Sequence, residues 1–393
     1  MTETISRTSP PAAGGAVRVA AGATVTTIAC VLPVFLVGGL AVQLGAELGF
    51  SPTGLGLAVS VYFGVSALAS VPSGALVERY GPAPVARVAI GLAAGSLLAV
   101  AALARSYPVL VALLAVSAAA NALGQLASNA ALAARVPPHR QGLSFGVKQA
   151  AIPVSTLLAG AAVPTVALTA GWRWAFVAAA GAALAALAAV PRSDRDGRAR
   201  TASAGRGGGT LALVVVGLAA TLAAGAANAL GTFLVDSAAG RGLSPGLAGL
   251  TLTLGSAVCV AARVGVGWLA DRRASGHVPV IAGLLVAGSV GLLLLAVAGP
   301  VPLVAGVVLG FGLGWSWPGL LNFAVVRLHP QAPAAATSIT QTGVYAGGCL
   351  GPLGLGALAG AAGYPIMWLT TALLMLLAAL LMLLAARRLA HPT

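Results

Sequence analysis

The chain of 393 residues is 59% hydrophobic and only 7% charged, with a mean hydropathy of +0.99. An average soluble domain carries about 25% charged residues. A soluble fold of this size could not cover its surface, and the composition equally excludes a disordered chain and a disulfide scaffold, leaving a polytopic helical membrane protein. Twenty-one basic against seven acidic residues give a net charge of +14; in a soluble protein that excess would indicate a nucleic-acid partner, but here its placement gives another answer.

A helix needs about 20 apolar residues to cross a hydrocarbon core of roughly 30 Å. Cut by that length, the sequence predicts twelve spans, at about 19–43, 53–77, 84–104, 107–133, 143–168, 172–190, 210–235, 245–270, 278–298, 301–326, 337–360 and 364–386. The first follows Arg7 and Arg18 and is longer than the apolar core of a secretory signal, so it reads as a retained span. Cys30, Cys259 and Cys349 fall inside apolar runs and read as small buried hydrophobes, with no disulfide framework implied. With both termini placed in the cytoplasm, sixteen arginines lie inside and only Arg105, Arg173 and Arg241 outside. Cytoplasmic retention of positive charge produces this asymmetry, so the basic excess sets topology in the cytoplasmic membrane and argues against nucleic-acid binding.

Between spans six and seven, Pro191 to Gly209 is polar, charged and glycine-rich, and reads as a cytoplasmic linker. It divides a six-helix bundle over 19–190 from a second over 210–386, with short cytoplasmic tails at 1–18 and 387–393. The halves resemble each other. A shift of 193 residues places Ser51, Pro52, Gly74, Leu76 and Arg79 on Ser244, Pro245, Gly267, Leu269 and Arg272, with Glu78 on Asp271. A shift of 192 places Arg135, Pro138, Gln149 and Gly171 on Arg327, Pro330, Gln341 and Gly363. Two like-oriented bundles pack about an axis along the membrane normal and leave a site near the midplane, and one can rock against the other. Gly347, Gly348, Gly351, Gly354 and Gly356 form a face on which helix backbones can approach closely.

On these features the chain resembles the major facilitator superfamily over its whole length. The motif that carries the resemblance follows the second helix: Gly74, Glu78, Arg79 and Gly81 in the first half, Gly267, Asp271 and Arg272 in the second. The first copy has Glu in place of the usual Asp, and Pro82, Ala83 and Pro84 in place of trailing basic residues. The second has Ala274 where a glycine is usual. The resemblance implies an all-α fold of twelve membrane helices in two pseudo-symmetric bundles. It also implies a gate in which Glu78 faces the start of helix eleven near Thr337 and Ser338, and Asp271 the start of helix five near Leu143 and Ser144. An acid suits such a place because a helix N-terminus exposes N–H groups and the positive end of its dipole.

Charges inside a span are costly and point to function or to a partner. Arg263 lies eight residues before Asp271, about 12 Å from that end of its helix. Lys148, the sole lysine, lies about two turns into helix five. In the resembled family helices five and eight face each other, and an arginine in helix eight occurs in members that carry anions. Two cations there, with no acid in a span interior, favour an anion, and the planar guanidinium fork suits a carboxylate. A structural pairing of Arg263 with Asp271 or with helix carbonyls is the competing reading, and Lys148 can equally pair with Asp271. Uncharged polar residues supply candidate walls: Asn121, Gln125 and Asn129 spaced by four, Asn228 and Thr232 likewise, Gln149 and its repeat mate Gln341, Tyr345, and Trp315, Trp317 and Asn322 near Pro318. Pro33, Pro153, Pro164 and Pro318 interrupt helices and release carbonyls that only protein or a water-filled cavity can satisfy.

The expected function is secondary transport of a small organic anion, acting as a monomer and without cofactor or metal. Export of a drug or metabolite is the alternative, and an anion channel the alternative of another class. Scattered histidines and the lack of paired intramembrane acids argue against an enzyme. Coupling is open between proton transfer through Asp236, near an outer helix end like Glu47, and anion exchange. The family's proline-containing antiporter motif has no clear counterpart around Pro153 and Gly160, which weakens a drug–proton antiporter reading.

Overall fold

A computed structural model describes residues 13–50, 52–190, 210–243, 245–331 and 333–390; the linker expected at Pro191–Gly209 lies outside them. The described chain is helical, with no strand. The first half holds α1 (Ala13–Gly39), α2 (Pro52–Tyr80), α3 (Pro82–Leu103), α4 (Tyr107–Arg135), α5 (Gln141–Ala162) and α6 (Trp172–Ala186). A short helix, Ala41–Leu48, extends α1, and a π-helical turn at Val163–Ala167 prolongs α5. The second half holds α7 (Thr210–Ala239), α8 (Pro245–Asp271) and α9 (His277–Ala296). Next comes α10, broken into Pro300–Leu309 and Pro318–Leu328 with a π-helical turn at Gly310–Gly314 between them.

The last helical run, Pro333–Ala390, is 58 residues long and bends at Gly363, where φ is 81°. Eleven described helices are long and apolar enough to cross a membrane, and the last of these, Ala336–Arg388, has the length of two spans. Divided at Gly363 it gives α11 (333–362) and α12 (364–390), and hence twelve. The repeat is visible in the backbone. Gly171 (φ 97°) turns the chain from α5 to α6 as Gly363 turns it from α11 to α12, in a region open only to glycine at no steric cost. After α2 the turn is made by Gly81 (φ 83°); after α8 it is made by Gly276 (φ 77°), two residues beyond Ala274. The missing motif glycine is therefore displaced along the chain.

Each half has its own apolar core. One runs from Ala29 to Val190 and includes Tyr62, Leu97, Leu114 and Phe176; the other gathers Leu230, Phe311, Trp317, Trp368 and Met375, joined by Val19, Ala23, Leu132, Val136 and Phe145 from the first half. Many leucines and valines along α9 and α12, such as Val290, Leu373 and Leu380, stay exposed on the bundle surface, as a lipid-facing helix requires. At the far end from Asp271, Glu47 closes a clasp within the first half. It accepts a hydrogen bond from Trp172 Nε1 (2.6 Å) and pairs with Arg173 (2.8 Å), whose guanidinium lies 4.3 Å from the Trp172 ring centre. The Trp172 hydrogen bond, with Arg173 second, holds this carboxyl below the usual carboxylate range.

Candidate functional site

Between the halves lies a cavity. Its wall takes Phe35 from α1, Phe63 from α2, Asn121 and Gln125 from α4, Gln149 from α5, Asn228 from α7, Arg263 from α8, Trp315, Trp317 and Asn322 from α10, and Gln341 and Tyr345 from α11. Both halves therefore contribute polar groups to one space. Thr232 and Lys148, two candidates from the sequence, are not part of this wall. The Thr232 hydroxyl bonds back to the Asn228 carbonyl on its own helix (2.8 Å), and the Asn228 amide likewise donates to Ala224 O (2.8 Å). The Asp236 side chain lies outside what the structure describes.

Arg263 is 1% exposed. Its Nε donates to Trp315 O (3.0 Å) and its Nη1 to Gln149 O, while its Cζ sits 5.6 Å from the Trp315 ring centre. The reason lies in the two partner helices. In an unbroken α5, Gln149 O would accept the N–H of residue 153, but Pro153 has none. Trp315 O lies where α10 breaks between its π-helical turn and Pro318, and also accepts a weak bond from Cys259 Sγ (3.6 Å). A carbonyl freed at membrane depth costs several kcal/mol if left unpaired. Arg263 thus ties α8 to α5 and to α10 through backbone oxygens that these helices cannot satisfy themselves. The sequence offered Asp271 and helix carbonyls as structural partners, and the carbonyls are the ones found.

That accounts for two of the five N–H groups of the guanidinium. Among the described residues Nη2 is buried and has no partner, and the same holds for Gln149 Oε1, Trp317 Nε1 and the Asn322 Nδ2, all in residues of the cavity wall. No carboxylate pairs with Arg263 or Lys148 among the described residues. Lys148 is fully buried behind the wall, where its Nζ donates to Gln125 Oε1 and to Asn129 Oδ1 (3.0 Å). The stripe read on α4 is therefore divided in use. Asn121 donates to Ser66 Oγ on α2 (3.2 Å), and the next two members hold the lysine. The sequence had no signal for the apolar part of the wall (Val31, Phe35, Phe63, Ile152, Leu321 and Val344), because such residues are indistinguishable from lipid-facing ones until the helices are oriented.

The two copies of the loop motif differ. At the second, Asp271 Oδ1 accepts the N–H of Gly142 (2.7 Å) and Oδ2 that of Leu143 (2.8 Å), so one carboxylate satisfies two donors that the first turn of α5 would otherwise leave open. Close packing permits it: a Cβ added to Gly146 would lie 2.5 Å from Arg263 O, and one on Gly267 2.5 Å from Gly142 O. Arg272 turns outward over Trp268, 3.4 Å from its ring centre. At the first copy Gly74 lies within α2, Arg79 lies over Tyr80, and Glu78 is exposed, while Thr337 and Ser338 are buried. Among the described residues, Glu78 makes no hydrogen bond or ion pair to the start of α11. Contacts of α2 with α11 occur instead at Ser60, whose hydroxyl donates to Cys349 O (2.9 Å), and at Phe63 and Gly64, about four turns from Glu78.

Two bundles of six membrane helices around a central, partly polar cavity define a solute carrier by class. The family model described as Major Facilitator Superfamily matches residues 22–352 and 216–393, and the chain belongs to that family of transporters. The chain is 30% identical over 334 residues to a chloramphenicol resistance protein of Streptomyces lividans, covering 81% of this chain and 83% of that one. Among solved structures, the proton:xylose symporter XylE superposes with a TM-score of 0.79 at 16% identity, covering 94% of this chain and 95% of that one. The human organic anion transporter MFSD10 superposes with a TM-score of 0.73 at 17% identity, covering 95% and 100%. At such identities these structures speak to the fold alone.

Proposed function

We propose that this chain moves a small organic anion with an apolar, aromatic body across the cytoplasmic membrane by alternating access, with both termini inside. The observation that carries the reading is Arg263, a buried guanidinium in the cavity wall that, among the described residues, has no carboxylate partner and leaves Nη2 free. An uncompensated charge at this depth is costly, and a bound anion is the group that offsets it. Trp317 Nε1 and the Asn322 amide add donors, and Phe35, Phe63, Trp315 and Tyr345 supply the apolar surround for the rest of the solute. The coupling of movement to binding falls to helix pairs α5–α8 and α2–α11, which join the halves.

A second reading, export of a neutral amphiphilic antibiotic or metabolite, is favoured by the likeness to the chloramphenicol resistance protein and by the aromatic wall. Counterflow in proteoliposomes separates the two. Labelled benzenesulfonate, phenyltrimethylammonium and chloramphenicol are compared, each against its own unlabelled trans pool. Saturable counterflow of the sulfonate, with none of the ammonium, is the expected result. Counterflow of chloramphenicol alone replaces the first reading with the second, and conductance without counterflow replaces both with a channel.

In this reading the Asp271 contact holds one end of the cavity shut. Losing an N-cap acceptor costs about 0.5–2 kcal/mol. Asp271→Ala is therefore expected to shift the balance between closed and open ends by about 2- to 30-fold. Spin labels at Arg140 and Arg272, both exposed, report it as a longer and broader distance distribution. An unchanged distribution removes the gate assignment.

A further inference from the structure

Lys148 is not explained by the cavity wall. Its ammonium is fully buried, and its two partners, Gln125 and Asn129, are neutral amides. Nearby are a second cation, Arg263 on α8, whose Nη1 donates to the carbonyl of the adjacent residue Gln149, and the buried thiol of Cys30 on α1, which packs on Gly124 beside Gln125. On α4 it meets the amides of Gln125 and Asn129, and Asp271 on α8 is bound to the first turn of α5. Of the two buried cations, arginine keeps its proton under all ordinary conditions, whereas a lysine amine can release one. Among the described residues the site holds a like charge nearby and no counter-ion, and a dry place of that kind is where a lysine does so most readily.

Gln125 supplies the connection to the solute. It lines the cavity and also accepts from Lys148 Nζ, so one side chain touches both spaces. An anion in the cavity stabilises the ammonium by charge, and an empty cavity leaves it opposed only by Arg263.

We propose that Lys148 is the proton-binding site of the transport cycle, taking up one proton on the Nζ lone pair when an anion occupies the cavity and returning it to water when the anion leaves. The stoichiometry is one proton carried with one anion, and no other bond is made or broken. The inference rests on the anion reading above, and goes beyond it by assigning the coupling ion and its site. No carboxylate is needed.

Because Lys148 is the sole lysine in the chain, protein labelled with ¹⁵Nζ-lysine gives a single side-chain signal. In the full-length protein without solute, the signal is expected to have passed from ammonium to amine before the pH reaches 10, where a free lysine is still largely protonated. An ammonium signal that persists to pH 10 overturns the proposal. This measurement needs no substrate, so it stands even if the anion reading fails.

The second arm measures benzenesulfonate uptake with and without a pH gradient. The sulfonate stays ionised and cannot cross the lipid as a neutral acid. With one proton per anion, an interior alkaline by one unit drives about tenfold accumulation, since one pH unit is worth about 1.4 kcal/mol. The readout is the ratio of the two uptakes, which a general loss of rate does not mimic. A ratio near ten in wild type that falls to near one in both Lys148→Met and Lys148→Arg supports the site. A wild-type ratio of one, or a ratio of ten retained in either variant, overturns it. Sulfonate counterflow that persists while the ratio fails sinks the coupling site and leaves the anion reading intact.

Discussion

Gly347→Val is expected to lower the melting temperature of the detergent-solubilised protein by at least about 5 °C and to reduce the monodisperse fraction sharply. The cause is backbone against backbone. A Cβ at Gly347 would lie 2.0 Å from Thr221 O on α7 and 2.9 Å from Gly225 N; at Gly343 it would lie 2.3 Å from Gly217 O, and at Gly351 2.5 Å from Gly225 Cα. These three glycines, spaced by four, form the seam along which α11 lies on α7. Lipid provides no hydrophobic drive for two helices to associate, so close backbone packing supplies much of the attraction. Overpacking costs 1–3 kcal/mol where side chains can move aside, and here the obstacle is a helix backbone, which puts the cost at about 3 kcal/mol or more. Gly354→Val is the control. A Cβ there meets nothing within 4 Å, so this variant is expected to melt with the wild type. Equal melting of both variants would show that the seam does not hold the half together.

That contrast also marks how much the sequence could reveal. The glycine-rich face of α11 was legible as a packing face, but which members touch a neighbour depends on helix rotation. Gly348 packs on the Phe63 ring and Gly356 on Phe233, whereas Gly354 meets nothing. The spans were legible because bilayer thickness fixes their length, and the duplication because prolines, arginines and glycines at turns are constrained one by one. Gly171 and Gly363 are the clearest case, paired by sequence and found with the same backbone turn.

Side-chain partners were harder to read. Lys148 sits within reach of neutral amides, and nothing in its own helix distinguishes that from a place in the wall. The two loop motifs are near copies in sequence, yet among the described residues Asp271 binds α5 while no partner is found for Glu78, because each contact depends on how far the facing helices approach at that level. The break in α10 was expected at Pro318, but the π-helical turn at Gly310–Gly314 that precedes it has no proline, and its alternate glycines, Gly310, Gly312 and Gly314, read only as part of an apolar span.

Arg263→Met is expected to reduce benzenesulfonate counterflow, as kcat/KM, by about 100-fold, and Arg263→Lys by only about tenfold. A hydrogen bond to a charged group is worth about 1.5–3 kcal/mol, or about 10- to 150-fold, and lysine keeps the charge while losing the fork. Stability alone would read this residue poorly, because two terms oppose. Methionine removes a buried charge, which is favourable, but leaves Gln149 O without its donor and Trp315 O with only the weak Cys259 Sγ bond, at about 1–3 kcal/mol each. Pro153→Ala separates them. It restores an N–H four residues beyond Gln149, so α5 can satisfy that carbonyl internally. In the double variant the melting temperature is therefore expected to recover towards wild type while counterflow stays low. Recovery of both would make Arg263 a backbone tie and nothing more. Loss of counterflow that persists after the helix is repaired leaves the free edge of the guanidinium as the group the anion needs.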